Sequence, residues 1–441
     1  MEGARLERAV RAPGLDSRRA GHAVLPQWRS TARPAVIDLP ANVGTAVSVH
    51  CGAEHTMVLT DGGIVLGFGR GDSGQLGRGN FKQGNDSAVR LQLMQQVSQT
   101  PLQKQRGETP KTSEIGACLL AACGDRTASI SVDDGFFSWG SGWRARRKPK
   151  PKPQSKPQKL QAMTKLCITE LHLGDDLGAA LDALGQVYTF GGAEHAALGR
   201  RTAPSEAGFG IEHVRSFGPK GNTAVTALAC GSAHCIAVTS EGQPYSWGSD
   251  LKGQLGLGGP EAGNGSVVPV PVLISSFRGH FVEKVWCGGD SSFVLTSNSA
   301  LFSWGCNLYG QLGQGHDRTT EPTPHSVVAL DATKLNFLAV GRMHTLAVVD
   351  GTVWSWGRGS HGQLGTGYNP TMNRPRMVTA VDTAVKGAAI ASVSCGDNHS
   401  VALTKDGRIA TWGCNLYGQL GYPYKDPKVR ACSCVSVRVR A

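Results

Sequence analysis

Long apolar runs are missing from this chain. No stretch of about 18 apolar residues occurs in its 441 residues, so no membrane-spanning helix is expected. Aromatic residues are scarce at 6% and charged residues reach only 18%, while 40% of the chain is hydrophobic. That balance excludes a disordered polyelectrolyte. The twelve cysteines include no Cys-x-x-Cys pair and no Cys/His cluster with zinc-ligand spacing, so no metal site is expected. No apolar signal segment opens the chain, and a reducing compartment is the expectation. There is no Gly-x-Ser-x-Gly elbow, phosphate loop or His-Glu-x-x-His motif. The expectation is a protein with no covalent active site and no cofactor.

Glycine is what the chain has in excess, with 59 residues of 441. It follows no three-residue period, which excludes collagen. It follows a much longer one. Gly52, Gly124, Gly174, Gly231, Gly288, Gly341 and Gly396 each precede an aromatic-glycine pair whose glycine falls 16 or 17 residues on. The pairs are Phe68-Gly69, Trp139-Gly140, Phe190-Gly191, Trp247-Gly248, Trp304-Gly305, Trp356-Gly357 and Trp412-Gly413. Successive pairs are 71, 51, 57, 57, 52 and 56 residues apart. Gly-Gln-Leu-Gly then follows at 74–77, 253–256, 310–313, 362–365 and 418–421, with a weak form at Ala197-Leu198-Gly199.

Within one unit the chain reads as short strands. Cys235-Ile-Ala-Val-Thr239 is an apolar run, Ser240-Glu241-Gly242 carries turn chemistry, and Pro244-Tyr-Ser-Trp247 is the return strand. Two more strand-like runs precede the next anchor, Val267–Val272 and Phe281–Val285. About four strands per unit, repeated seven times, predict an all-β chain. A four-stranded unit has two apolar faces, and units standing face to face around an axis bury both. The glycines then serve tight turns near that axis, and the aromatic rings fill the gaps between units. The cysteine before five of the anchor glycines (Cys51, Cys123, Cys230, Cys287, Cys395) reads as a small buried apolar residue.

The order Cys-Gly-x-x-His, Asp-Gly, Trp-Gly, Gly-Gln-Leu-Gly resembles the repeat of the regulator of chromosome condensation family. The fit is clearest at 230–256, 341–365 and 395–421 and covers about 34–430. The resemblance implies a seven-bladed β-propeller of about four-stranded blades, spanning 34–441 after a flexible tail over 1–33. The family's founding activity is guanine-nucleotide exchange on the small GTPase Ran, on chromatin. Carried over by motif, the GTPase-facing positions are Asp125, Asp175, Asp176, His234, Asp290, His344, Asp397 and His399, with Glu54 and His55 in the first repeat. The sequence departs from the pattern at Thr127, Leu177 and Ser291, where histidine is missing, and at Leu173, where cysteine is. For the histidines a second reading stands beside partner contact: a hydrogen bond that fixes the loop between blades. The family's plant ultraviolet photoreceptor carries Trp-Arg-His-Thr after the anchor glycine. Here those positions read Ala53-Glu54-His55-Thr56, Ser232-Ala233-His234-Cys235 and Asp397-Asn398-His399-Ser400, which disfavours photoreception.

The net charge of +12 is concentrated. Eight basic residues and no acid lie between Arg144 and Lys159, within an insert over 143–160 that stands where the second repeat lacks Gly-Gln-Leu-Gly. Alternating prolines forbid a helix, so the insert is expected to be extended and exposed. Three readings stand for Arg144, Arg146, Arg147, Lys148, Lys150 and Lys152: a solvated loop, a nuclear localisation signal, or a contact to chromatin or nucleic-acid phosphate. Residues 80–116 read as a long surface loop. The tail Cys432–Arg440 alternates with period two and is expected to pair with the N-terminal blade to close the ring. The reading as a whole is a monomeric regulatory propeller that binds a small GTPase or another protein, does not enter membranes, and resides in the nucleus, favoured by the basic insert, or the cytoplasm, with organellar targeting left open.

Overall fold

A computed structural model describes residues 30–81, 89–91, 95–98, 111–114, 117–131, 136–141, 153–160, 166–175, 177–192, 198–200, 211–218, 223–258 and 267–422. Their strands form seven four-stranded antiparallel sheets and one two-stranded hairpin. Each blade is a meander whose strands run a, b, c, d from the axis outward. Blade 4 is typical: Val225–Cys230, His234–Thr239, Pro244–Ser249 and Val267–Leu273. The a strands of consecutive blades touch one another, and Ile390–Cys395 of the last blade touches Ala46–Cys51 of the first. The seven-bladed ring is therefore closed.

The core is distributed rather than single. Among the described residues seven apolar clusters occur, and each draws its residues from two consecutive blades. This explains why the b strands do not alternate: His55–Thr60, His234–Thr239, His344–Val349 and His399–Thr404 are buried at every position, because both faces meet a neighbouring blade. The aromatic before each c-strand glycine is at most 1% exposed in all seven blades. At the b–c turns, Asp350 and Gly351 both have positive φ, the conformation that two-residue hairpin loops require.

Ring closure differs from the expectation. The outer strand of the last blade is Ser30–Ile37, which pairs antiparallel with Ile409–Cys414. The N-terminal end thus completes the C-terminal blade, and Ile37 packs into the cluster shared with blade 1. Cys432–Arg440 and most of the 1–33 tail lie outside the described residues. The long loop over 80–116 contains the d strand of blade 1, Val89–Leu91, and the hairpin of Gln95–Ser98 with Lys111–Glu114. The end of the basic insert is likewise built into the ring: Gln154–Leu160 is the d strand of blade 2. Arg144, Arg146, Arg147, Lys148, Lys150 and Lys152 lie outside the described residues.

Candidate functional site: the blade seams and the axial face

The repeat motif converges on the seams between blades. His344 Nε2 lies 2.9 Å from Ser400 Oγ of the next blade. That hydroxyl donates to the carbonyl of Gln363, back in the histidine's own blade, at 2.7 Å. Trp412 Nε1 donates to the same carbonyl at 2.8 Å. The bridge recurs as His55–Thr127–Gln75, His234–Ser292–Gln254 and His399–Thr56–Gln419. A hydroxyl has one proton, and it is spent on the carbonyl, so Nε2 must be the donor from a neutral ring. Nδ1 is then bare, and in all four histidines it is buried without a hydrogen-bond partner among the described residues. Burial pushes each of the four down to about 3.

Of the two readings of His234, His344 and His399, this geometry is that of the hydrogen bond between blades, not of partner contact. Each is 0% exposed, as is His55, so no ring surface remains for a partner. They tie blade to blade. Their position also explains the anchor glycine. Gly52, Gly231 and Gly396 lie under the ring of the histidine three residues on, and a Cβ there would also stand 2.7 Å from a backbone oxygen of the next blade. None of the three has positive φ. Close approach, not turn geometry, demands glycine at these positions.

Blade 2 departs from the register read in the sequence. Arg126 pairs with Gly140 as His55 pairs with Gly69, so Arg126 holds the histidine place and Thr127 the hydroxyl place. Counting from Cys123-Gly124 misses this by one residue, because the a–b turn of that blade places Cys123 where Gly52 stands.

Strand register puts the a–b turns and the c–d loops at the same end of the ring, the turns beside the axis and the loops outside them. Backbone bonds stitch the turns together: Ala53 N to Gly124 O, Asp175 N to Ser232 O, Ser232 N to Gly289 O and Asp397 N to Ala53 O. Acids gather on this face. Asp397 is raised to about 6, chiefly by burial, with Asp175, Glu54 and Asp125 adding repulsion and Arg342 opposing it. Arg342 Nη1 lies 3.7 Å from the Asp397 carboxylate. Burial likewise raises Asp125, whose Oδ1 accepts from Gln75 Nε2 at 3.3 Å. The Asp175 carboxylate meets Cys123 Sγ at 3.9 Å. Asp290 sits further round the ring and accepts from Gln254 Nε2 at 3.3 Å. Asp176 lies outside the described residues.

The outer ring of this face carries groups that motif matching missed. Arg70 is gripped by Glu54 and Asp72, both at 2.7 Å, and lies over the Tyr417 ring. Arg358 lies over the Tyr309 ring in the same way. On the c–d loops of blades 4 and 5, Leu251 and Leu308 are 50% and 59% exposed. Only the residues following each Trp-Gly pair hinted at them, and these vary from blade to blade.

Comparison with known proteins agrees with this geometry. Residues 14–386 match the RCC1-like domain, and 390–419 match the regulator of chromosome condensation (RCC1) repeat. The human E3 ubiquitin-protein ligase HERC2 is 31% identical over 369 residues, 81% of this chain but 7% of that protein. The ultraviolet-B receptor UVR8 of Arabidopsis thaliana is 30% identical over 336 residues, 73% of this chain and 69% of that one. Among solved structures, Prp20p from Saccharomyces cerevisiae superposes with a TM-score of 0.65 at 21% identity, over 85% of this chain and 83% of that chain. The chain therefore belongs to the family of RCC1-like propellers.

Proposed function

We propose that this chain is a regulatory protein-binding propeller, and that its axial-turn face receives a cationic element of a small GTPase and promotes nucleotide release. The observation that carries the reading is the convergence of Glu54, Asp125, Asp175 and Asp397, from four different blades, around the axis on one face. Acids held that close repel one another, and a cation entering among them relieves the repulsion. A protein that binds the nucleotide-free GTPase more tightly than the loaded form must weaken nucleotide affinity by the same factor. Carboxylates competing for the lysine that holds the nucleotide phosphates supply that difference without covalent chemistry. Prp20p, which shares the fold, has been described with its binding properties to Gsp1p and histones.

The test is nucleotide release from GTPases loaded with a fluorescent guanine nucleotide. Acceleration by the wild-type chain, and its loss in Asp175→Asn with Asp397→Asn, supports the reading. Unchanged release from every GTPase offered removes exchange and leaves binding alone. A second reading, a chromatin or nucleic-acid adaptor, is favoured by one observation: Ser141 and Pro153, which flank the basic run, stand at the c–d end of blade 2, on the same face. DNA affinity that falls steeply with salt, and vanishes when 144–152 is deleted, supports it.

A further inference from the structure

We infer that Cys230 and Cys235 are a disulfide-forming pair, a modification site within the a–b hairpin of blade 4. In every blade the last seam-facing residue of strand a stands directly opposite the hydroxyl position of strand b. Where strand a offers cysteine, the opposite residue is normally a hydroxyl: Cys51 faces Thr56, Cys287 faces Ser292 and Cys395 faces Ser400. In blade 4 alone among the seven, thiol faces thiol, Cys230 against Cys235. Residues directly opposite in an antiparallel pair have Cα atoms roughly 4.5–5.5 Å apart, inside the span a disulfide bridges. The two Sγ atoms lie 2.7 Å apart, in direct contact.

Cys235 also differs from its counterparts at the seam. Thr56, Ser292 and Ser400 are each committed to the carbonyl of a Gly-Gln-Leu-Gly glutamine in the preceding blade. Blade 3 has no such glutamine, and Leu177 stands in its histidine place. Cys235 stands where those blades carry a hydroxyl, and blade 3 offers it no histidine.

The reaction needs an oxidant, and a low-molecular-weight disulfide suffices. Cys230 is 8% exposed and Cys235 0%, so Cys230 reacts first, from the solvent side. Its thiolate displaces one small thiolate from the reagent to give a mixed disulfide. The Cys235 thiolate then attacks the Cys230 sulfur, and the second small thiolate leaves. Both cysteine protons pass to the leaving groups, the pair loses two electrons, and the reagent gains them. Burial pushes both thiols upward, so oxidation waits on local opening of the hairpin. Closure would brace the turn carrying Ser232, which bonds to blades 3 and 5.

The test uses the full chain incubated with oxidised glutathione, denatured, blocked with a maleimide and cut with trypsin. Both cysteines fall in the peptide 221–252, and Cys287 falls in 285–318. The expected result is a 221–252 peptide that takes no maleimide until reduced and two afterwards, reached at least about tenfold more slowly than glutathione reaches exposed Cys167. In Cys235→Ser, which places the residue of blades 5 and 7 at this position, the protected form disappears. Two maleimides on the unreduced wild-type peptide while Cys167 is fully glutathionylated would overturn the inference. So would a bond joining 221–252 to 285–318, or a protected form that persists in Cys235→Ser.

Discussion

Acid should dismantle the ring, and the seam histidines set how steeply. His55, His234, His344 and His399 are held at about 3 in the folded chain, against ~6.5 for a free imidazole. Between those values the unfolded chain binds four protons that the folded chain refuses. Stability from this source is fully present above about pH 6.5 and is lost as the pH falls toward 3. Each histidine contributes about 1.36 kcal/mol per pH unit. His50, pushed to about 4 by burial and by His172, adds a fifth proton over a shorter window. Asp397 opposes them: its folded value of about 6 lies above its ordinary 3.8, so the folded chain takes that proton first. Together these six groups take up about four protons on unfolding near pH 5, or about 5 kcal/mol per pH unit, and Asp125, Asp250 and Asp382, each raised by burial, act in the opposing sense. A total stability of roughly 5–15 kcal/mol leaves little margin, and the propeller is expected to unfold between about pH 5 and 4. Urea titrations at several pH values, read by tryptophan fluorescence, measure the slope. His344→Phe and His399→Phe should each lower it by one proton. A slope below about one proton, or one that neither substitution changes, would refute the assignment of neutral, seam-locked rings.

The bridge itself is open to a double-mutant cycle. Ser400→Ala orphans the His344 Nε2 donor and should cost about 1–3 kcal/mol, while adding His344→Phe should recover part of that loss, both read from denaturant midpoints. Gly288→Ala would drive its Cβ onto the Val340 carbonyl and should sharply lower the melting temperature; Gly62→Ala, with nothing within 4 Å, should change it by no more than a few degrees. Trp304→Phe removes the 3.0 Å bond to Gln254 O but keeps most of the buried ring, and should cost about 1 kcal/mol in the same titration. Deleting 30–37 strips the last blade of its outer strand and uncovers Ile409–Cys414, so early unfolding and aggregation on heating are expected.

The blade count was legible because glycine and tryptophan recur for geometric reasons that hold in every unit. Gly231 is needed wherever a neighbouring backbone passes, and Trp304 wherever a glutamine carbonyl waits. The role of the histidines was legible only as two alternatives. A His at a strand start looks the same whether its ring faces solvent or the next blade, and the deciding partner, such as Ser400 for His344, lies 56 residues away. Blade 2 misled the motif because the Cys123-Gly124 pair sits one residue out of phase with its hydrogen bonds. Closure was misread because period-two alternation in Cys432–Arg440 looks like a strand, whereas Ser30–Ile37, broken by Pro34 and a register shift, does not. The axial acids were found by analogy of position; Arg342 and Arg70, which temper them, belong to no recurring motif.

Of the strands that build the ring, the first to be made has its partner in the last blade. Ser30–Ile37 must stay unpaired while six complete blades emerge, until Ile409–Cys414 arrives to receive it. The nascent ring therefore keeps an open edge at each end until Ile409–Cys414 emerges, and a message cut short before that strand yields a ring with no means of locking itself shut.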